Sequence, residues 1–210
     1  MKRKINIDLL TYPIDSRPFN KSFNEWTANW WQWLLSIPTY DNPITETTNG
    51  CCETKQSGPV WFLASTMDTV NDKKTVLRKC TVPSDKALLI PILNYGATLA
   101  DEPEIKSEED LVKLATSEMD KITKLTATID QMEFIEDDLK KLRIRSPLFD
   151  VTLPTNNITK GIPGHTRGAA EGYWLFLKPL SKGFHTIETL GSCKAGTVTI
   201  EAKYNITVAH

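Results

Sequence analysis

The chain has 210 residues, with 25 Lys and Arg against 26 Asp and Glu and a net charge of −1. A domain of that length can bury roughly 70% of its extended surface, so a core can form without a structural metal or a disulfide scaffold. Hydrophobic residues at 40% and charged residues at 24% exclude wholesale disorder. The balanced charge lacks the basic footprint of a nucleic-acid binder, and no run of about eighteen apolar residues offers a membrane-spanning helix.

Residues 1–21 read as an N-terminal arm of a single domain spanning 1–210. The opening Met1-Lys2-Arg3-Lys4 is cationic like a signal peptide, but the apolar stretch behind it is broken by Asn6 and Asp8 and stopped by Pro13, without a small-residue cleavage site. A chain without such a leader is cytoplasmic by default.

Ser22-Phe-Asn-Glu25 is a capping box, and it predicts a Trp-rich helix over 22–37 that ends before Pro38. At about 100° per residue, Trp26, Trp30, Trp33 and Ile37 fall within about 60° of one another, whereas Trp31 and Leu35 fall on another side. The polar arc (Glu25, Asn29, Gln32, Ser36) is narrow. A helix apolar over more than half its circumference requires a cover on two sides, supplied by its own chain or by a partner. Residues 38–58 are a long connection long enough to be that cover.

Strand-like runs follow at Val60–Ala64, Thr75–Val82 and Ala87–Asn94, each bounded by Pro, Gly or Asp turns. The stretch 95–106 reads as an insertion. A second box, Ser107-Glu-Glu-Asp110, opens a helix predicted over 107–125, with Leu111, Leu114, Ala115, Met119, Ile122 and Leu125 on its apolar stripe. The period then changes to two. The C-terminal part, 125–208, holds alternating runs at 125–129, 149–153 and 198–208, and the continuous apolar run Tyr173-Trp-Leu-Phe-Leu177 of a central strand. Such spacing points to a mainly β protein, an antiparallel β-sandwich of immunoglobulin-like or jelly-roll-like type carrying two packed α-helices.

The cysteines are Cys51, Cys52, Cys80 and Cys193. Either of the adjacent pair can reach Cys80 or Cys193, and Cys52–Cys80 is one candidate among three fully paired connectivities. No Cys-x-x-Cys or paired histidine suggests zinc, and no phosphate-binding or dinucleotide glycine motif suggests a cofactor. For catalysis the candidates are His165, placed in a loop at 161–168, His185, entering a strand, and Glu171. These three suit a hydrolase or a shared metal if the fold brings them together. Arg143, Arg145 and Arg167 are candidate anion ligands.

The tryptophans are the unusual signal, four of the six lying within residues 26–33. An indole joins a broad apolar face to one N–H donor, which suits protein interfaces and sugar stacking. The reading that follows is a non-catalytic binding or assembly module whose aromatic helix, through Trp31 and Leu35 with Trp30 and Tyr40, docks a second copy or another protein. The rival is carbohydrate binding on exposed rings such as Tyr40, Tyr95 and Tyr173.

The segments Trp26-x-x-x-Trp30-Trp31-x-Trp33, Gln56-x-Gly-Pro-Val-Trp61-Phe-Leu63, Arg78-x-Cys80-Thr-Val-Pro83 and Pro179-Leu-Ser-x-Gly183-x-His185-Thr-Ile187 resemble a group of functionally uncharacterised bacterial and archaeal proteins. The resemblance spans roughly residues 26–208. It implies a β-sandwich with helical insertions in a group many of whose members look exported, and it carries no activity or site residues.

Overall fold

A computed structural model describes residues 4–45, 52–66, 75–193 and 198–209. Its elements are β1 (Lys4–Ile5), α1 (Phe23–Leu35), β2 (Val60–Phe62), β3 (Val76–Pro83), β4 (Ala87–Thr98), α2 (Glu108–Met119), β5 (Ile122–Ile129), β6 (Met132–Phe134), α3 (Glu136–Lys140), β7 (Arg143–Arg145), β8 (Phe149–Leu153), β9 (Gly164–Leu177), β10 (Gly183–Cys193) and β11 (Val198–Ala209). The strands form two sheets, ordered β1-β6-β5-β10-β11-β3 and β2-β4-β9-β7, with β8 following β7 along the same edge of β9. Interior pairings are antiparallel, as expected for the sandwich, while three edge strands (β1 on β6, β3 on β11, β2 on β4) run parallel to their neighbours.

Alternation along β9 separates two cores. Tyr173, Leu175 and Leu177 face the first sheet and join Leu88 and Ile90 of β4, Leu125 and Ala127 of β5, Ile187 of β10, and Tyr204 and Ile206 of β11. Trp174 and Phe176 face the other way, onto α1, with Leu89, Val60, Phe62, Ile144 and Phe149. The second sheet is therefore buried on both faces, which is why Tyr173–Leu177 reads as one continuous apolar run.

Helix α1 is capped as expected. Ser22 Oγ accepts from the Glu25 amide at 3.2 Å, and Glu25 returns a bond to the Ser22 amide at 2.7 Å. At its other end the Asn42 carboxamide donates to the carbonyls of Leu34 and Ile37, at 2.7 and 3.0 Å, satisfying acceptors that helix ends leave open. Trp30 is the wedge between helix and sheet: its ring stands edge-on to Trp174 at 5.2 Å, and its N–H donates to the Leu63 carbonyl at 2.9 Å. Burying an indole of this size contributes on the order of 4–6 kcal/mol of transfer free energy as an upper figure.

The edge where β2 and β3 lie is stapled. Cys52 is disulfide-bonded to Cys80 of β3 across a separation of 28 residues, a closure that in the chain-entropy account stabilises by roughly 3–4 kcal/mol. Two residues away the buried Arg78 guanidinium donates to the carbonyls of Pro43 and Ser65. Cys51 lies outside the described residues.

Three boundaries differ from the sequence reading. The second helix ends at Met119, not 125, because Asp120 and Lys121 close it and Ile122 begins β5 beside β10. Residues 95–98 belong to β4, held by pairing with β9 as far as Thr98↔Gly168. Residues 164–168 are not a loop but the start of β9, paired with β8.

Gly96 of β4 lies directly beneath the Trp31 indole, and a Cβ there would sit 2.6 Å from Trp31 Cε2. Gly96→Ala is expected to force apart α1 and β4 at a cost of about 1–3 kcal/mol, read as a lower urea midpoint at unchanged m-value.

Candidate functional site

The three catalytic candidates do not converge. His165 opens β9, is exposed, and pairs with Asp150 of β8, Nε2 to Oδ1 3.1 Å, while Arg167 binds the same carboxylate and Glu108. His185 belongs to the other sheet, just past the turn that follows Leu177, so twelve residues of β9, roughly 40 Å of strand, separate that turn from His165. Glu171 lies between them under α2. The expectation of a shared hydrolytic or metal centre is corrected by this placement. Among the described residues no group of three His, Cys, Asp or Glu is disposed to hold a metal ion.

Glu171 is a tether. At 4% exposure its carboxylate accepts from Arg143 Nε at 2.5 Å, Arg145 Nε at 2.9 Å and the Thr116 hydroxyl at 2.7 Å. Arg143 also pairs with Asp120 at 2.8 Å. The cluster fastens α2 onto β7 and β9, and it takes up two of the arginines considered as anion ligands. Burial works to raise the Glu171 pKa, but the bonds from Thr116, Arg145 and Arg143 outweigh it and hold the carboxyl below its usual range.

His185 meets partners absent from the sequence reading. Its Nδ1 lies 2.7 Å from Asp130 Oδ2 and its Nε2 lies 2.8 Å from the Ser181 carbonyl oxygen. Ser181 Oγ is also near, 3.4 Å from Nε2, so Ser, His and Asp adjoin as in a nucleophilic triad. The chemistry differs: a carbonyl only accepts, so Nε2 must carry a proton and is not the base that would take one from the hydroxyl. Partial burial pulls the imidazole pKa down, but Asp130 and the Ser181 carbonyl overcome it and raise it. His185 is a clamp on the 178–183 turn.

The aromatic candidates are corrected in the same way. Trp30 and Leu35 are fully buried, and Trp31 is only 8% exposed. The second face of α1 is covered by β4 and by Ile44 of the connection after the helix, so these side chains are not available to an outside protein. Tyr40 is 72% exposed, but Tyr173 is buried and the Tyr95 hydroxyl is bonded to Glu102. The three tyrosines form no common platform.

The cover over that second face leaves room. A cavity of about 250 Å³ borders Trp31, Leu34 and Leu35 of α1, Leu93 to Gly96 of β4, Met119 of α2, Ile158, and Val198 and Ile200 of β11. It follows from the sheet topology: β2 pairs with β4 only over Ala87–Leu89, so from Ile90 onward that edge of β4 has no strand partner among the described residues. Thr66, Tyr95, Glu118 and Thr159 also line it. Three of the four α1 indoles donate to main-chain carbonyls: Trp26 to Pro18, Trp30 to Leu63 and Trp33 to Thr54. Among the described residues Trp31 Nε1 has no hydrogen-bond partner, and neither has the buried Nδ2 of Asn94, another lining residue. The helical pattern singled out Trp31 and Leu35, whereas Asn94 and Gly96 carried no signal, because which face of β4 meets the helix depends on the irregularity at Pro91–Leu93.

No family model, curated protein or solved structure matches this chain. No helix among the described residues is long and apolar enough to cross a membrane.

Two outcomes follow from the tethers. Glu171→Gln is expected to cost about 1–3 kcal/mol, less than breaking a fully buried ion pair because both guanidinium groups reach solvent. Since the folded carboxyl has a depressed pKa, the wild-type contribution is present above about pH 4.3 and is lost as pH falls through the folded value; the variant should lack this acid-side loss in its denaturation midpoint. For His185 the sign reverses. Its contribution, about 1 kcal/mol, is complete below about pH 6.5 and is lost as pH rises through its raised folded pKa. Proteolysis of the 178–183 turn should therefore accelerate with rising pH in the wild type and lose that dependence in His185→Gln.

Proposed function

We propose that this chain is a non-catalytic binding module, and that the site is the cavity between α1, the edge of β4 that has no strand partner among the described residues, and the end of the first sheet. The observation that carries this reading is a hollow of about 250 Å³ with a largely apolar lining that includes Trp31, Leu34, Leu35, Leu93, Ile158 and Ile200, beside an edge of β4 that no described strand covers. An apolar cavity of roughly 150 Å³ is enough for a benzene, so a hollow of about 250 Å³ has room for a small apolar molecule. Trp31 and Leu35 keep the binding role expected from their place on the helix, but their partner is a small molecule inside the fold. Docking of a second copy through the helix lacks support, since its aromatic side chains are enclosed.

Toluene provides a direct test, followed through the Trp31 indole N–H resonance and the thermal midpoint. The expected result is a saturable shift of that resonance with a rise in midpoint, both abolished in Val198→Phe, which fills the hollow from its half-buried rim. A Trp31 resonance unmoved up to the solubility limit of toluene would overturn the reading.

A further inference from the structure

We infer that the Cys52–Cys80 disulfide is a redox latch: a dithiol reductant that cuts it frees the strap formed by residues 52–55 and uncovers the Trp33 indole, while the rest of the sandwich stays in place. The inference is independent of the cavity reading, since no residue of the strap lines that cavity.

The two cysteines are anchored unequally. Cys80 is 4% exposed in the core between the sheets, on a strand paired with β11 at every position from Val76↔Ala202 to Pro83↔Ala209. Cys52 is half-buried at the margin of that core and belongs to no strand. Its segment is a turn in which Lys55 takes a φ of 48°, a left-handed conformation that a residue with a Cβ resists. Downstream the strap is hinged at Gln56, whose carboxamide donates to the Phe62 carbonyl at 2.7 Å and accepts from the Phe62 amide at 2.9 Å. Upstream of that hinge the covalent bond is the firm attachment. The others are single hydrogen bonds, from Trp33 to the Thr54 carbonyl at 2.9 Å and from Lys55 to the Ser36 carbonyl at 3.1 Å. Bonds from Gln56 to the carbonyls of Cys52 and Glu53 stay inside the turn.

Trp33 is where loss of the latch is felt. A hydrogen bond that water can replace contributes little net, so a released strap does not hold the Thr54 carbonyl on the indole. Trp26 and Trp30 donate instead to Pro18 and Leu63, which the strap does not carry. Trp33 also borders, with Trp26 and Phe62, a groove of about 390 Å³ whose other rim is Ser57 to Pro59. Lifting the strap extends that groove across the indole.

The chemistry is thiol–disulfide exchange. A reagent thiolate attacks Sγ of Cys52, the more exposed partner; the S–S bond breaks, and Cys80 leaves as a thiolate that takes up a proton. The second thiol of the reagent then attacks the reagent sulfur of the mixed disulfide, releasing Cys52 as a thiol and the reagent as a cyclic disulfide. Two electrons and two protons pass from the dithiol to the protein.

The test follows indole N–H exchange by NMR with and without dithiothreitol, in the full chain and in Cys51→Ser, which removes a neighbouring thiol able to exchange with the bond. Alkylation and mass measurement count the thiols freed. Reduction should speed exchange at Trp33 about tenfold or more, while Trp26 and Trp30 change by less than about twofold. Cys52→Ser, in which the latch never forms, should show the fast Trp33 rate without reductant. Unchanged Trp33 exchange with two further thiols freed would overturn the inference. So would equal acceleration at all three indoles, which is loosening of the whole fold, or a bond that dithiothreitol leaves intact. None of these results touches the cavity reading. The comparison of oxidised and reduced wild-type chain stands whether or not Cys52→Ser folds.

Discussion

The Trp30 indole stands edge-on to Trp174 and passes its N–H through the layer to the carbonyl of Leu63. That contact fixes α1 on the outer face of the second sheet, and most of the architecture depends on it. With Trp30 seated, Phe23 and Trp26 meet Phe176, Trp33 meets Phe62, and Asn24 and Gln32 donate at the sheet edge to the carbonyls of Arg145 and Asp150. A sheet buried on both faces cannot shed its hydrophobic residues to solvent, so its central strands are apolar throughout.

Seating one face of the helix leaves the other to be sheltered by less regular parts of the chain. A glycine in β4 lets Trp31 come down onto the strand, and an asparagine after the helix both caps its end and positions the segment bearing Ile44. The shelter is tight over the indole and leaves a hollow beside it, where β4 runs on without a strand neighbour among the described residues. The cavity is therefore a consequence of topology: a three-residue strand, β2, cannot flank a twelve-residue one. This hollow adjoins Trp31, the one α1 indole whose N–H finds no acceptor among the described residues.

The sequence made the layers legible wherever a period was long and clean. The capping box at Ser22, the alternation over 198–208 and the apolar run at 173–177 each reflect a local requirement of backbone or burial. The site was half legible. Trp31 and Leu35 stood out because a 100° step is intrinsic to a helix, but whether a partner or the chain itself covered them is a tertiary matter. The isolated acids and histidines misled for the same reason. Glu171 sits on an inward strand position, yet its neighbours come from α2 and β7, and the partner of His185 arrives from a turn 55 residues earlier. Residues 164–168 looked like a loop because Gly, His and Arg are poor strand formers, and pairing with β8 overrode that preference.

The central claim is that a single chain encloses its own aromatic helix, and hydrogen exchange at the Trp30 indole N–H, followed by NMR at a concentration where sedimentation shows a monomer, tests it most directly. Enclosure predicts exchange slowed to the level of the global unfolding equilibrium, because that proton is buried and bonded to Leu63. Exchange at the rate of a free indole in the monomer would contradict the account, since the helix would then need a second molecule to cover it.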